Sequence, residues 1–203
     1  MAKLGLFGGS FNPIHVGHLT IAEEALKSLG LDRVIFIPSG DPYMKDPGQL
    51  APRELRLEMT RLAVASAADC FEVSDLEIRR EGPSYTAETL KEFAATRPGD
   101  ELFLILGADS LMEIERWRDP ARIFALSTVA ALTRGGIPLA DVNAAAEALR
   151  DKYGARIELL PEISIRLSAS EIRGWIRGGH AYRHLVTEPV YRFIRAHGLY
   201  GAV

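Results

Sequence analysis

The sequence predicts an α/β protein with a parallel sheet between layers of helices, and three observations lead to this class. Short apolar runs alternate along the chain with longer segments of helical period, the pattern of strands joined by crossover helices. The first apolar run passes through two glycines directly into a helical segment, as in open doubly wound sheets. After the last apolar run the pattern is helical only. We therefore expect a Rossmann-like, doubly wound parallel sheet with a small helical carboxy-terminal part.

The individual elements follow from the two periodicities. Apolar runs predict strands at Leu4–Phe7, Arg33–Pro38, Phe71–Leu76, Leu102–Leu106, Thr128–Thr133 and Ile157–Leu160. Helical spacing between them predicts helices at His15–Leu29, Pro52–Ala68, Thr86–Ala95, Pro120–Ala125 and Leu139–Tyr153. In the second helix, the face that carries Leu55, Met59, Leu62 and Ala63 is the predicted buried side.

The end of the chain carries helix signals without strands. Ser168 and Glu171 have the spacing of a capping box, and a helix that starts there should end near Gly178. Thr187 and Pro189 predict a final helix that stops at His197-Gly198. We expect one domain over residues 1–203, with residues 168–203 as its helical part.

Composition excludes several classes of protein. The chain has 24 basic and 27 acidic residues, a formal net charge of −3 and no block of like charge, so no nucleic-acid partner is expected. No apolar run approaches the roughly 18 to 20 residues that span a bilayer, and the first residues lack a signal segment. These features predict a cytoplasmic protein without a membrane partner. The single cysteine, Cys70, excludes an internal disulfide and is expected to be a buried packing residue.

The richest segment follows the first strand and runs from Gly8 to His18. Ligands bind at the carboxyl ends of strands in open parallel sheets, where the chain enters a helix. Gly8 and Gly9 would let the backbone turn sharply and approach a ligand closely. The helix start that follows offers unpaired N–H groups and a partial positive charge, which suit a phosphate.

Two histidines stand at this helix start. His15 and His18 are three residues apart, so their imidazoles share a helix face and could donate hydrogen bonds to a triphosphate. An isolated pair with this spacing is more often structural, with one ring packed and one solvated. The glycine pair, the proline and the position after the first strand favour function here.

Other nucleotide motifs are absent from the sequence. It has no G-x-G-x-x-G after the first strand, no G-x-x-x-x-G-K-[ST] and no G-x-S-x-G. These absences argue against a dinucleotide-dependent redox enzyme, a P-loop ATPase and a common serine hydrolase.

The run G-G-x-F-x-P-x-H-x-G-H resembles the signature of the nucleotidyltransferase superfamily that carries an H-x-G-H motif. From Lys3 to Tyr200 the chain is similar to the nicotinate-nucleotide adenylyltransferases of that superfamily. The resemblance implies adenylyl transfer from ATP to nicotinate mononucleotide, which yields deamido-NAD and pyrophosphate in NAD biosynthesis. It also implies Mg²⁺ that is bound with ATP through phosphate oxygens and waters, with no protein metal site.

The resemblance assigns ATP to two helix starts and to one strand end. Leu167–Arg173 is similar to the family's I-S-S-T-x-I-R element, and Leu106–Ser110 resembles its G-A-D element beside the ribose. The implied catalytic residues are His15, His18 and Arg173. The implied ATP ligands are Gly8, Gly9, Ser10, Phe11, His15, His18, Gly107, Asp109, Ser168, Ser170 and Arg173.

The same resemblance assigns the mononucleotide. Trp117 would stack on the pyridine ring, and the backbone N–H groups of Thr86 and Arg118 would hold its carboxylate. Thr86 also has the position of a helix cap. Arg134 matches a family arginine near the mononucleotide. Many relatives have Pro-Pro-His-Lys after the second strand, whereas this chain has Met44 in place of the histidine and keeps Lys45, a candidate phosphate ligand.

Two other functions stay open at this point. Another adenylyl- or cytidylyltransferase of the superfamily would share the histidine motif, although the spacing from Asp109 to Trp117 speaks against it. A nucleotide-binding sensor on an inactive scaffold is the second alternative. The joint presence of His15, His18, Ser170 and Arg173 argues against it. The sequence leaves the oligomeric state open, a homo-oligomer included.

Overall fold

The structure is a computed structural model of the 203-residue chain. It describes residues 1–42, 50–133, 136–163 and 167–202. Within these ranges the strands are β1 (Lys3–Gly9), β2 (Arg33–Pro38), β3 (Phe71–Val73), β4 (Glu101–Gly107), β5 (Thr128–Leu132) and β6 (Ile157–Leu160). The α-helices are α1 (Val16–Leu29), α2 (Arg53–Val64), α3 (Leu76–Arg79), α4 (Thr86–Thr96), α5 (Ala108–Glu113), α6 (Pro120–Leu126), α7 (Leu139–Tyr153), α8 (Ala169–Arg177) and α9 (Glu188–Ala196).

The strands form one six-stranded sheet in the order β3-β2-β1-β4-β5-β6. The pairs β1–β4, β4–β5 and β5–β6 are parallel. The chain order reverses beside β1, so that β1 and β4 flank the topological switch point of a doubly wound sheet. The predicted fold class is therefore confirmed.

The first of two compact units comprises Met1–Gly8, Ile21–Ile35 and Tyr85–Arg166. All five residues of β5 are buried, as are the six residues of β4 from Leu102 to Gly107, because a parallel strand is covered on both faces. Gly154 ends α7 in the left-handed conformation, and its N–H donates to the carbonyl of Arg150.

The second unit comprises Gly9–Thr20, Phe36–Ser84 and Leu167–Val203. Phe36 is its central aromatic residue, with ring centroids 5.8 Å from Phe11 and 5.4 Å from Phe71. The described carboxy-terminal residues are helical, and α9 packs on α2. The predicted capping box is present, because Ser168 Oγ accepts the N–H of Glu171, and the Glu171 carboxylate accepts the N–H of Ser168.

Several element boundaries differ from those predicted. The third strand ends at Val73 instead of Leu76, because Leu76 begins the short helix α3. The second helix ends at Val64 and passes into a 3-10 turn over Ala65–Ala67. Helix α5 was not predicted. Cys70 is half-buried rather than buried, with its thiol 3.5 Å from the Ala67 carbonyl at this turn.

No helix in the described ranges is both long enough and apolar enough to cross a membrane. The same ranges contain no group of three or more His, Cys, Asp or Glu side chains that could hold a metal ion.

Candidate active site

The two helix starts that the sequence singles out both lie in the second unit. The carbonyl of His15 accepts the N–H groups of His18 and Leu19, so His15 occupies the cap position of α1. Arg173, in the second turn of α8, donates from Nη1 to the carbonyl oxygen of Asn12 at 2.9 Å. The structure thus brings the guanidinium of α8 to the turn that precedes the histidines.

His15 and His18 form a stacked pair. Their ring centroids are 3.7 Å apart with an interplanar angle of 30°, and the edge-to-face contact of Phe11 with His18 measures 5.1 Å. His15 is 2% exposed, whereas His18 is half-buried. His18 is therefore the more accessible ring of the pair.

One hydrogen bond fixes which nitrogen of His18 is a donor. The backbone N–H of His15, the cap residue, donates to His18 Nδ1 at 3.2 Å. His18 is the third residue of the helix, and in a capping box the side chain at this position accepts the same backbone N–H. A nitrogen that accepts carries no proton, and this assigns the proton of the neutral ring to Nε2. His18 then presents one N–H donor on the side away from the helix backbone.

The backbone before these histidines turns at Phe11 rather than at the glycines. Gly8 and Gly9 are the last residues of β1 and neither has a left-handed φ, so the expected sharp turn at the glycines was wrong. Phe11 has φ +43°, an uncommon conformation for a bulky residue. A Cβ at Gly8 would meet no atom within 4 Å, which leaves this strand end open to a ligand.

Three side chains hold the segment Ser10–Asn12, which we call the Asn12 turn. Arg56 Nη1 donates to the Ser10 carbonyl at 2.7 Å, and Arg173 Nη1 donates to the Asn12 carbonyl. The Asn12 amide oxygen accepts the Tyr200 hydroxyl at 2.8 Å and the N–H of Ala51 at 3.0 Å. The turn is therefore fixed both through its main chain and through its one amide side chain.

Arg56 is a site residue that the helical periodicity missed. It is 1% exposed, whereas Leu55 and Leu62 of the predicted buried face are only half-buried. Its guanidinium also donates to the carbonyl oxygens of Ala51 and Gly40, both at 3.0 Å. Burial lowers the pKa of Arg56 from its usual value, but an arginine keeps its charge. The buried cation thus joins the Asn12 turn to both flanks of the 43–49 segment.

We expect Arg56→Met to lower the free energy of unfolding by about 3 kcal/mol, because three carbonyl oxygens lose a charged donor while the side-chain volume is nearly retained. Urea denaturation measures the change. Arg53→Ala is the matched control, since the Arg53 side chain is 43% exposed in the first turn of the same helix and should shift stability by less than about 0.5 kcal/mol. Equal stability of Arg56→Met and wild type would contradict the role of these bonds.

The guanidinium of Arg173 is anchored at one nitrogen only. Its Nε is buried and has no hydrogen-bond partner within the part of the chain that the structure describes. Burial lowers the pKa of Arg173 from its ordinary value, and Arg177 lowers it further. A buried N–H without an acceptor raises the free energy of the folded state. An anion is the acceptor that best satisfies the donors of a guanidinium.

The remaining predicted residues of the second unit lie around these groups. Ser10 is half-buried, and Ser170 is exposed in the first turn of α8. Ser168 is occupied by the capping box, and its hydroxyl donates to Glu171 at 2.6 Å. These bonds from Ser168 lower the pKa of Glu171, with a smaller effect from the charge of His15.

Ser39 is a further residue that the sequence did not single out. It follows β2 and is 8% exposed, its N–H donates to the Gly9 carbonyl, and its buried Oγ has no partner in the described ranges. Asn12 and Tyr200 were missed as well. Asn12 stood inside the recognised motif as a variable position, so its polarity was the available signal.

The first unit holds three of the residues predicted for the mononucleotide, Thr86, Trp117 and Arg118. Tyr85 caps α4, so Thr86 is the first helical residue with an N–H outside the helix bonds; the cap position expected for Thr86 itself was wrong. The Arg118 guanidinium lies 4.6 Å from the centre of the Tyr85 ring. The Thr86 and Arg118 segments are therefore neighbours. Trp117 is half-buried and follows a 3-10 turn over Ile114–Arg116.

Two further predicted positions lie at the end of β4. Gly107 is buried at the cap of α5, and Asp109 is exposed in the first turn of that helix. Gly8 belongs to the first unit, at the end of β1. Lys45, Met44 and Arg134 lie outside the residues that the structure describes.

The fold and the histidine-bearing helix start define an α/β protein of the nucleotidyltransferase class. A model of the family described as "Cytidylyltransferase-like" matches residues 6–175. A protein of Dehalococcoides mccartyi is 42% identical over 98% of this chain and 97% of its own length, and one of Thermus thermophilus is 42% identical over 98% and 99%. Both are named as probable nicotinate-nucleotide adenylyltransferases. The chain belongs to the cytidylyltransferase-like family, among its nicotinate-nucleotide adenylyltransferases.

Solved structures confirm the fold. The structure of Plasmodium falciparum nicotinic acid mononucleotide adenylyltransferase complexed with NaAD superimposes with a TM-score of 0.79, covering 98% of each chain at 17% identity. A nicotinate-nucleotide adenylyltransferase from Vibrio parahaemolyticus gives a TM-score of 0.68 at 19% identity, covering 100% of this chain and 98% of that one. At these identities the likeness is one of architecture.

Proposed function

We propose that this protein transfers the adenylyl group of ATP to nicotinate mononucleotide, forming deamido-NAD and pyrophosphate. The observation that carries the proposal is the hydrogen bond from Arg173 of α8 to the Asn12 carbonyl, in the segment that leads to the stacked histidines at the start of α1. A guanidinium, an imidazole N–H and a helix start at one place form a site for a polyphosphate. The relatives' names identify the transferred group and the acceptor.

The reaction asks for positioning and charge stabilisation rather than covalent help. A phosphate oxygen of the mononucleotide attacks the α-phosphorus of ATP, the bond to the bridging oxygen breaks, and pyrophosphate leaves on the opposite side. The nucleophile is already ionised at neutral pH, so the site needs no strong base. Electrostatic groups fixed in advance stabilise the charge that develops.

Each residue of the second unit receives a role from its geometry. His18 donates from Nε2 to the α-phosphate, because its Nδ1 is engaged by the helix backbone. His15, as cap residue, orients the His18 ring and the first N–H groups of α1. Arg173 and Ser170 hold the departing pyrophosphate in the first two turns of α8. Mg²⁺ enters with ATP as part of the substrate, held by phosphate oxygens and waters.

The first unit supports a carboxylate-bearing acceptor. The N–H of Thr86 has no acceptor among the bonds of α4, and the exposed guanidinium of Arg118 lies over the neighbouring Tyr85 ring. The nearby carboxylate of Glu88 is paired with Arg122 at 2.8 Å and does not compete for this position. Donors and positive charge favour the acid over the amide, whose NH₂ group would face them without an acceptor.

The test is a pyrophosphate-release assay with ATP and a panel of acceptors. We expect kcat/KM for nicotinate mononucleotide to exceed that for nicotinamide mononucleotide by at least about 100-fold, since the amide NH₂ group would leave these donors without an acceptor. Comparable values for the two would contradict the carboxylate site but leave the reaction type intact. Turnover with pantetheine phosphate alone would make the protein a different transferase. ATP binding without turnover of any acceptor would make it a sensor.

A further inference from the structure

Tyr200, close to the carboxy terminus, reaches a residue 188 positions earlier in the chain. Its hydroxyl donates to the Asn12 amide oxygen at 2.8 Å. Asn12 lies in the Asn12 turn, whose carbonyl oxygen is also the anchor of Arg173. The end of the chain and the catalytic arginine of α8 therefore converge on the same residue.

The backbone that presents Tyr200 is an unusual hook. Gly198, Tyr200 and Gly201 all have left-handed conformations, with φ values of 58°, 60° and 85°. Glycine adopts this conformation readily, whereas tyrosine does so only where the surroundings hold it. The strained residue in the hook is thus the one whose side chain holds Asn12, which indicates that the hook serves to place that hydroxyl.

The hydroxyl is a permanent donor. Burial raises the pKa of Tyr200 well above its usual value, although Arg173 and Arg56 each lower it by a smaller amount. The phenol therefore keeps its proton throughout the neutral range. The Asn12 amide oxygen has two lone pairs, and Tyr200 and the N–H of Ala51 occupy both. Loss of the hydroxyl would leave one lone pair bare and the amide less firmly held.

We propose that Tyr200 is a positioning residue for adenylyl transfer, which acts through Asn12 on the placement of the Arg173 guanidinium. The inference rests on the proposed function, in which Arg173 holds the phosphates of ATP. Because Arg173 Nη1 bonds to the main chain of the residue that Tyr200 holds, a displaced Asn12 turn displaces the guanidinium. The predicted mononucleotide residues that the structure describes, Thr86, Trp117 and Arg118, belong to the other unit, so the effect falls on ATP and spares the acceptor.

The direct test is Tyr200→Phe, which removes the hydroxyl and keeps the ring. We expect kcat/KM for ATP to fall about tenfold while KM for nicotinate mononucleotide stays within about twofold, a split that a general loss of folded enzyme cannot produce. Tyr191→Phe is the matched control. It removes a hydroxyl from the same helical part, and its ring contacts Tyr182 and Arg183 rather than the Asn12 turn. Its constants should equal those of wild type.

A double-mutant cycle tests the route through Asn12. In an Asn12→Ala background, Tyr200→Phe should change kcat/KM for ATP by less than about twofold, because the acceptor of its hydrogen bond is gone. Additive losses would overturn the assignment of Asn12 as the link. Thermal unfolding of each variant identifies a loss that comes from unfolding alone.

The outcomes separate this inference from the proposed function. If wild type turns over nicotinate mononucleotide and Tyr200→Phe keeps its kcat/KM for ATP, the positioning role is overturned and the function stands. If wild type has no turnover, the function fails, and calorimetry with a non-hydrolysable ATP analogue decides the positioning role. Binding to Tyr200→Phe at least about fivefold weaker than to wild type supports the role, and equal binding overturns it.

Discussion

Replacing His18 with alanine is expected to lower kcat at least about 100-fold, equivalent to about 2.7 kcal/mol of transition-state stabilisation. The variant loses the one N–H donor that the cap geometry directs away from α1. It also loses the acceptor for the His15 N–H, which loosens the helix start. Initial-rate measurements with saturating ATP and nicotinate mononucleotide give the value. A kcat within threefold of wild type would show that His18 has no catalytic part.

Two further substitutions separate the two functions of the His18 ring. An asparagine amide reaches the position of Nδ1 and can accept the His15 N–H, but it lacks the distal donor. A glutamine amide reaches the position of Nε2 and can supply that donor. We expect His18→Gln to retain more activity than His18→Asn, because the donor acts in the reaction and the acceptor only shapes the helix. The reverse order would assign the catalytic effect to the helix cap.

His184→Ala is the matched control for these variants. His184 is an exposed histidine of the same unit, and its ring lies 6.2 Å from that of Trp175. It belongs to none of the proposed binding elements. Unchanged kcat in this variant would show that the loss in His18→Ala does not come from removing any histidine of the carboxy-terminal part.

The elements that carry local signals were predictable from the sequence. The start of α8 is specified within four residues by Ser168 and Glu171, and both bonds of the capping box are present. The second and sixth strands were predicted to the residue, since each is an apolar run with a sharp change of composition at its ends. Local signals of this kind can be recognised without knowing which residues pack against the element.

The errors occurred where tertiary contacts override a local pattern. The apolar spacing of α2 correctly predicted a buried Met59 and Ala63, but Leu55 and Leu62 are only half-buried. Arg56 is buried in the same helix, because three carbonyl oxygens solvate its guanidinium. The turn expected at the glycines lies at Phe11, whose ring packs against His18 and Phe36. In both cases the deciding partners are distant in sequence.

The residues of the candidate site also fall into two groups, those that a local motif predicts and those that only contacts between distant residues reveal. The histidine pair and Arg173 could be named from the sequence because each belongs to a short motif at a helix start. The bond between Arg173 and Asn12 joins residues 161 positions apart, and that between Tyr200 and Asn12 spans 188. No periodicity encodes such contacts. The residues that act on the site from a distance, Arg56 and Tyr200, therefore emerged only from the structure.

Arg173→Ala is expected to lower kcat/KM for ATP at least about 100-fold, the second large effect at this site. Arg173 is half-buried, and its buried Nε lacks a partner among the described residues, so the guanidinium is already partly desolvated. Less of its hydration has to be removed when pyrophosphate departs, which strengthens its attraction for the developing charge. Steady-state kinetics with ATP varied at saturating nicotinate mononucleotide measure the loss.

Arg173→Lys distinguishes geometry from charge. A lysine keeps the charge, but it cannot both donate to the Asn12 carbonyl and present a planar fork to phosphate. We therefore expect Arg173→Lys to have less than about a tenth of the wild-type kcat/KM for ATP. Arg177 is an exposed arginine one turn later on the same helix. The kcat/KM for ATP of Arg177→Ala should stay within about threefold of wild type, which sets an upper limit to the effect of nonspecific positive charge. If Arg173→Lys matched wild type, the anchored fork would be irrelevant and charge alone would suffice. If Arg177→Ala lost as much as Arg173→Ala, the field of α8 as a whole, rather than one anchored guanidinium, would hold the leaving group.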